Sequence, residues 1–211
     1  MTRDWTADGI SGVIHDPVGP VVATAVLAHG AGSNCHAAIL VHMATELAER
    51  GIRVARIDLP FRQARPKGPP NRAGAAADRA GIAAAVTAMR SDVPMIVGGH
   101  SYGGRQASML VAEEPRIADG LLALSYPLHP PKKPETLRTE HFPDIRVPTV
   151  VVHGSRDTFA TGEEMAEHTA LIGAPVTVVT IEGAGHDLAP TRKPTARRAA
   201  DAVMQMLADR E

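Results

Sequence analysis

A glycine-flanked serine directly after a buried strand is the feature that most constrains the fold of this chain. Residues 93–97 read V-P-M-I-V, the apolar run of a strand covered on both faces, and residues 99–103 read G-H-S-Y-G. This pentapeptide fits G-x-S-x-G, in which a serine lies on a sharp turn between a strand and a helix. Glycines are needed there because the strand and the helix approach too closely for side chains. A predicted helix over 105–114, ended by Pro115, completes the pattern, so Ser101 is the candidate nucleophile.

The rest of the chain alternates apolar strands with helices. Further strands are predicted at 10–15, 21–28, 52–57, 120–125, 149–153 and 176–181, and further helices at 37–50, around 82–89, at 161–172 and at 194–208. This alternation predicts an α/β fold: a doubly wound, mostly parallel sheet of about six to seven strands flanked by helices. Six prolines between residues 126 and 148 argue against a long helical lid. We therefore expect one domain over 1–211 with minimal or no cap.

Two more candidate catalytic residues follow later strands. Asp157 comes after the strand at 149–153, and His186 comes after the strand at 176–181. Ligands of such sheets bind at the carboxyl ends of the strands, where these side chains and Ser101 should meet. A serine hydroxyl needs a histidine as general base, and the histidine needs a carboxylate to fix its tautomer. The catalytic residues predicted in this way are Ser101, Asp157 and His186, in the chain order typical of the fold.

Alternatives exist for the acid. Asp58 also follows a strand, at 52–57, and Asp157 could instead cap the helix that follows it. Tyr102 N–H, directly after the serine, is a candidate donor to the oxyanion of a tetrahedral intermediate.

Four motifs, in this order, resemble the α/β-hydrolase superfamily and in particular its compact, dienelactone-hydrolase-like members. They are L-A-H-G-A-G at 27–32, G-H-S-Y-G at 99–103, H-G-S-R-D at 153–157 and G-A-G-H at 183–186. The resemblance extends from about residue 21 to residue 207. It implies an α/β-hydrolase fold and makes Ala31 N–H the second oxyanion donor, although the small residues around it could equally serve a tight turn. Dienelactone hydrolases carry a cysteine nucleophile where this sequence has Ser101, so the resemblance does not extend to their substrate.

The composition and the spacing of possible ligand residues limit the partners and cofactors that we expect for this chain. The formal net charge of −1 gives no reason to expect nucleic acid or an anionic membrane. The histidines lack the paired spacing of a zinc motif, and no phosphate-binding or dinucleotide-binding glycine motif is present, so we expect no metal and no cofactor. The single cysteine, Cys35, and an N-terminus without an apolar run predict a cytoplasmic protein. We expect it to be a monomer or a homodimer.

The predicted function is that of a serine hydrolase that cleaves a small ester or thioester through an acyl-enzyme intermediate. A lactone or dienelactone-type hydrolase with the same triad, and a non-catalytic binding or scaffold protein on the same fold, remain alternatives. Aromatic and basic residues gather in segments placed at the carboxyl edge of the sheet. They suggest an apolar pocket wall and attraction of an anionic ester, although the charges could simply be solvated loop residues. The candidate substrate-binding residues are Phe61, Arg62, Arg65, Tyr126 and Phe159.

Overall fold

An eight-stranded sheet forms the centre of the structure, a computed structural model that describes residues 1–210. The strands are β1 (Thr2–Ala7), β2 (Ile10–His15), β3 (Ala23–Ala28), β4 (Ile52–Ile57), β5 (Met95–His100), β6 (Gly120–Leu124), β7 (Thr149–Gly154) and β8 (Val176–Ile181). Their order across the sheet is β1-β2-β4-β3-β5-β6-β7-β8. Strands β3 to β8 pair in parallel, while β1 and β2 form an antiparallel hairpin at one edge. The predicted mostly parallel sheet is confirmed, with one strand more than the upper expected number.

Helices cover both faces of this sheet. They are α1 (Ala38–Glu49), α2 (Pro60–Ala64), α3 (Ala75–Met89), α4 (Tyr102–Glu113), α5 (Gly162–Thr169) and α6 (Thr195–Ala208). Side chains of α1 and α6, such as Leu40 and Val203, share one core cluster, and those of α3, α4 and α5, such as Ile82, Leu110 and Met165, share the other. The two apolar layers require strands that are apolar on both faces, and β3, β6 and β7 are buried along their whole length.

The longest connection at the carboxyl edge is the segment between β6 and β7. Within residues 125–148 the only regular element is a 3₁₀ turn at Phe142–Asp144, so no long helical lid covers this edge. The prolines explain this result, since each removes a backbone donor and fixes φ. In residues 1–210 no helix has the length and apolar character needed to cross a membrane.

Candidate active site

The serine turn between β5 and α4 has a strained backbone. Ser101 has φ of 52° and ψ of −114°, a conformation that costs a non-glycine residue on the order of 1–3 kcal/mol. The turn is held because Ser101 N–H donates to Leu124 O at 2.8 Å. Neighbouring glycines are obligatory: a Cβ on Gly99 would lie 2.2 Å from Ala28 O, and one on Gly103 would lie 2.4 Å from the same oxygen. The packing therefore presents Ser101 at the N-terminus of α4.

The structure brings the three candidate catalytic side chains together in one relay. Ser101 Oγ–H donates to His186 Nε2 at 2.8 Å, and His186 Nδ1–H donates to Asp157 Oδ2 at 2.8 Å. The Asp157 side chain is fully buried, whereas that of His186 is 26% exposed. Because a carboxylate can only accept a hydrogen bond, it sets the tautomer in which Nε2 is free to accept the serine proton.

The surroundings of Asp157 keep its carboxylate charged. Burial alone would raise the pKa of Asp157, but hydrogen bonds from His186 and from Phe159 N–H outweigh burial and hold it below its usual range. The second of these bonds, from Phe159 N–H to Oδ1, is 2.9 Å long. The following helix, α5, is capped instead by Thr161 and Glu164, so Asp157 does not cap it.

Asp58, the alternative acid, has other partners. Its Oδ1 accepts a hydrogen bond from Cys35 N–H at 2.7 Å and lies 3.7 Å from His29 Nε2. No hydrogen bond joins it to His186 within residues 1–210. The geometry therefore favours Asp157.

Two further residues hold His186, and sequence reasoning did not assign either role. The Phe159 ring stacks against the His186 ring with centroids 4.2 Å apart and planes at 30°. His100 Nε2–H donates to the His186 carbonyl at 2.8 Å, and burial lowers the pKa of His100, which favours its neutral form. The only sequence signals were an aromatic residue two positions after the acid and a histidine beside the serine.

The loop after β3 lies against Ser101 and offers a free backbone donor. A Cβ on Gly30 would be 3.6 Å from Ser101 Cβ, so this loop and the serine turn are in contact. Ala31 N–H donates no hydrogen bond within residues 1–210. Tyr102 N–H is in the first turn of α4, where helix geometry provides no internal acceptor. Both predicted oxyanion donors are thus unoccupied backbone groups beside Ser101.

The five candidate substrate-binding residues fall into different environments. Phe61 is 9% exposed and contacts Tyr102 edge-on, with centroids 5.7 Å apart. Tyr126 is 2% exposed, and its hydroxyl donates to a backbone carbonyl, which leaves its ring little surface for a substrate.

The other three also have partners within the protein. Phe159 packs on His186 as described above. Arg65 is exposed and donates to Pro69 O at 2.9 Å, while Arg62 is buried and donates only to backbone carbonyls. A substrate-binding role stays a prediction for all five, and the geometry favours it most for Phe61 and Phe159.

Residues 1–210 contain no group of three His, Cys, Asp or Glu side chains placed to hold a metal ion. The site thus consists of a serine, a histidine, a carboxylate and backbone donors.

Comparison with known proteins identifies the class. The family model described as "Alpha/beta hydrolase domain" matches residues 21–210, so the chain belongs to the α/β-hydrolase family. Together with the site, this membership identifies the chain as a hydrolase.

Solved structures show the same fold. TT1662 from Thermus thermophilus is 24% identical over 98% of each chain, with a TM-score of 0.75. Dienelactone hydrolase from Anabaena variabilis is 15% identical over 99% of this chain and 98% of its own, with a TM-score of 0.71. XC6422 from Xanthomonas campestris, described as a serine hydrolase without lid, is 16% identical over 99% of this chain and 94% of its own, with a TM-score of 0.71.

Proposed function

We propose that this protein is a serine hydrolase that cleaves a small ester or thioester through an acyl-enzyme intermediate. The observation that carries the proposal is the unbroken relay of two 2.8 Å hydrogen bonds from Ser101 through His186 to the buried Asp157. A protein that used this fold only for binding would have no physical need of a serine aligned with a histidine and a buried carboxylate.

The reaction follows from this geometry. Ser101 Oγ attacks the substrate carbonyl carbon as its proton passes to His186 Nε2, and Asp157 stabilises the imidazolium that forms. The carbonyl oxygen becomes an oxyanion that accepts hydrogen bonds from Ala31 N–H and Tyr102 N–H. When the intermediate collapses, His186 gives its proton to the leaving alkoxide or thiolate and the acyl group stays on Ser101. Water, activated by His186, then releases the acid and restores the serine.

A short acyl group suits this site best. The segment between β6 and β7 contains no long helix that could bury an extended chain, and Phe61 and Phe159 offer apolar contacts close to the catalytic groups. A negative charge on the substrate is compatible with Arg105, which lies one turn after Ser101 on α4. Its Nε is buried and has no hydrogen-bond partner within residues 1–210.

A lactone is the second candidate substrate, and the similarity of the fold to a dienelactone hydrolase is the observation that favours it. A lactone yields one product, because its alcohol and acid remain joined, whereas a linear ester yields two. Relative kcat/KM values for simple lactones and for para-nitrophenyl esters of graded chain length would distinguish the two substrates.

Labelling with a fluorophosphonate probe tests the proposal. The wild-type protein should be labelled on Ser101, and Ser101→Ala should lose both labelling and ester hydrolysis. Ser91→Ala, which changes an exposed serine between α3 and β5, is the matched control and should keep both. Wild-type labelling rates in Ser101→Ala would refute the mechanism.

We also propose that the protein acts in the cytoplasm as a monomer or homodimer. Its one cysteine, Cys35, is buried and forms no disulfide, as is usual in a reducing compartment.

A further inference from the structure

The side chain of Arg62, on the short helix α2, connects that helix to the loop carrying Ala31. Arg62 Nε donates to Ser33 O at 2.7 Å, and Nη2 donates to Ala31 O at 3.0 Å. Its remaining hydrogen bonds go to Gly68 O at 3.1 Å and Arg65 O at 3.2 Å, and its guanidinium carbon lies 5.0 Å from the centre of the Phe61 ring. One guanidinium therefore joins two carbonyls of the oxyanion loop to two carbonyls of the segment after α2.

The burial of this cation makes its hydrogen bonds hard to replace. Arg62 is 8% exposed, and within residues 1–210 no carboxylate lies within 4.0 Å of it. A buried charge is tolerated only when polar groups compensate it, and here the compensation comes from carbonyl dipoles. Those carbonyls must point at the planar guanidinium fork, so the loop around Ala31 has one favoured orientation.

A second buried side chain, that of Asp78, contacts the residue of the other predicted oxyanion donor. Asp78, on α3, is fully buried, and its Oδ2 accepts a hydrogen bond from Tyr102 O–H at 2.7 Å. Its Oδ1 accepts from Phe61 N–H, on α2, at 3.0 Å. Helix α3 packs tightly on α2, since a Cβ on Gly81 would lie 2.6 Å from the Pro60 ring. Helix α2 is thus tied to the residues of both oxyanion donors.

We propose that Arg62 is a positioning residue: it holds the carbonyls of Ala31 and Ser33 and so orients the loop whose Ala31 N–H is the oxyanion donor, while Asp78 fixes Tyr102. This inference rests on the proposed function and gives Arg62 a role other than attraction of an anionic substrate. Donors that are fixed before reaction stabilise the oxyanion without reorganisation, which is why their orientation matters for the rate.

The test measures kcat, KM and loop order in Arg62→Lys and Arg62→Gln. Lysine has three N–H donors and glutamine two, so neither can bridge all four carbonyls as the guanidinium fork does. We therefore expect kcat on a neutral ester to fall on the order of 100-fold, the usual loss for one oxyanion donor, while KM changes little. Affinity for a boronic acid, which forms a tetrahedral adduct on Ser101, should weaken in parallel. In Arg62→Ala, low millimolar guanidinium should restore part of kcat.

Arg56→Lys is the matched control. Arg56 is also a buried arginine, 4% exposed, and its side chain donates to Cys35 O and His15 Nε2 rather than to Ala31. Arg56→Lys should lower the melting temperature about as much as Arg62→Lys does, yet it should retain most of kcat. An equal loss of kcat in both variants would make Arg62 a general support of the fold. A rise in KM for anionic esters, with kcat unchanged, would make Arg62 a substrate-binding residue instead.

Amide hydrogen exchange separates this inference from the proposed function. Exchange of the Ser33 amide, which donates to Gly30 O at 3.1 Å in this loop, should accelerate in Arg62→Gln while that of α4 stays unchanged, whether or not the protein hydrolyses esters. Unchanged exchange of the Ser33 amide would overturn the positioning role. Full hydrolysis by Ser101→Ala would instead overturn the proposed mechanism and leave the exchange result standing.

Discussion

Replacement of Asp157 by asparagine should remove most of the hydrolase activity, because it should reverse the tautomer of His186. Oδ1 of Asp157 accepts a hydrogen bond from Phe159 N–H, so an asparagine at this position would keep its oxygen there. Its NH₂ group would then face His186 Nδ1, where Oδ2 now accepts a hydrogen bond at 2.8 Å. Nδ1 must become the acceptor, Nε2 carries the proton, and the imidazole can no longer take the proton of Ser101.

The expected loss in kcat is about 10⁴-fold, or about 5 kcal/mol of transition-state stabilisation, because the wrong tautomer cannot act as a base. Steady-state hydrolysis of a short para-nitrophenyl ester measures it, and thermal melting checks the fold. Asp58→Asn is the control and should retain most activity, since Asp58 contacts Cys35 N–H rather than the triad. A loss below tenfold for Asp157→Asn, or a larger loss for Asp58→Asn, would refute this reasoning.

Three further predictions concern thiol reactivity, acid stability and substrate charge. Burial, with a smaller contribution from Asp58, raises the pKa of Cys35 to about 12, so Ellman's reagent should label it only after denaturation. Rapid labelling of the native protein would contradict this. Burial, helped by Arg56, lowers the pKa of His15 to about 4, so the unfolded chain binds the proton more readily. His15 therefore contributes stability that is complete above about pH 6.5 and is lost as the pH falls towards 4, by at most about 1.4 kcal/mol per pH unit. His15→Gln should flatten the fall in the free energy of unfolding over this range, and an unchanged slope would count against it. Arg105→Gln should reduce any preference for a carboxylate-bearing ester over its neutral analogue, and salt should weaken that preference in the wild type. Equal kcat/KM values for the two esters, unaffected by salt, would remove substrate charge from the proposal.

Strong local patterns made most of the fold predictable. The runs that became β3, β6 and β7 lie between helices on both faces, and their mostly apolar sequences predict this burial. The helix predicted to start at residue 161 is α5, and its start is fixed by a capping box, in which Thr161 and Glu164 form both hydrogen bonds. The serine turn was predictable because packing at positions 99 and 103 leaves no room for a Cβ, which requires the two glycines of the motif.

Elements that depend on distant partners were not predictable. Strand β1 reads T-R-D-W-T-A and is largely exposed, so it lacks a hydrophobic signal and exists through its pairing with β2. Helix α2, which is absent from the predicted helices, depends on Asp78 and on the close packing of α3. The contacts of Arg62 and His100 cross 31 and 86 positions of the chain, and no local pattern reports such pairs.

The positive φ of Ser101 means that the proposed nucleophile lowers the stability of the folded chain. Glycine adopts this conformation without steric cost, so Ser101→Gly would relieve strain, offset in part by the greater freedom of glycine in the unfolded chain. Directed evolution that selects only for thermal stability would thus have a route to variants that are more stable but inactive. Each round therefore has to select for activity as well, because the proposed nucleophile is also a site of backbone strain.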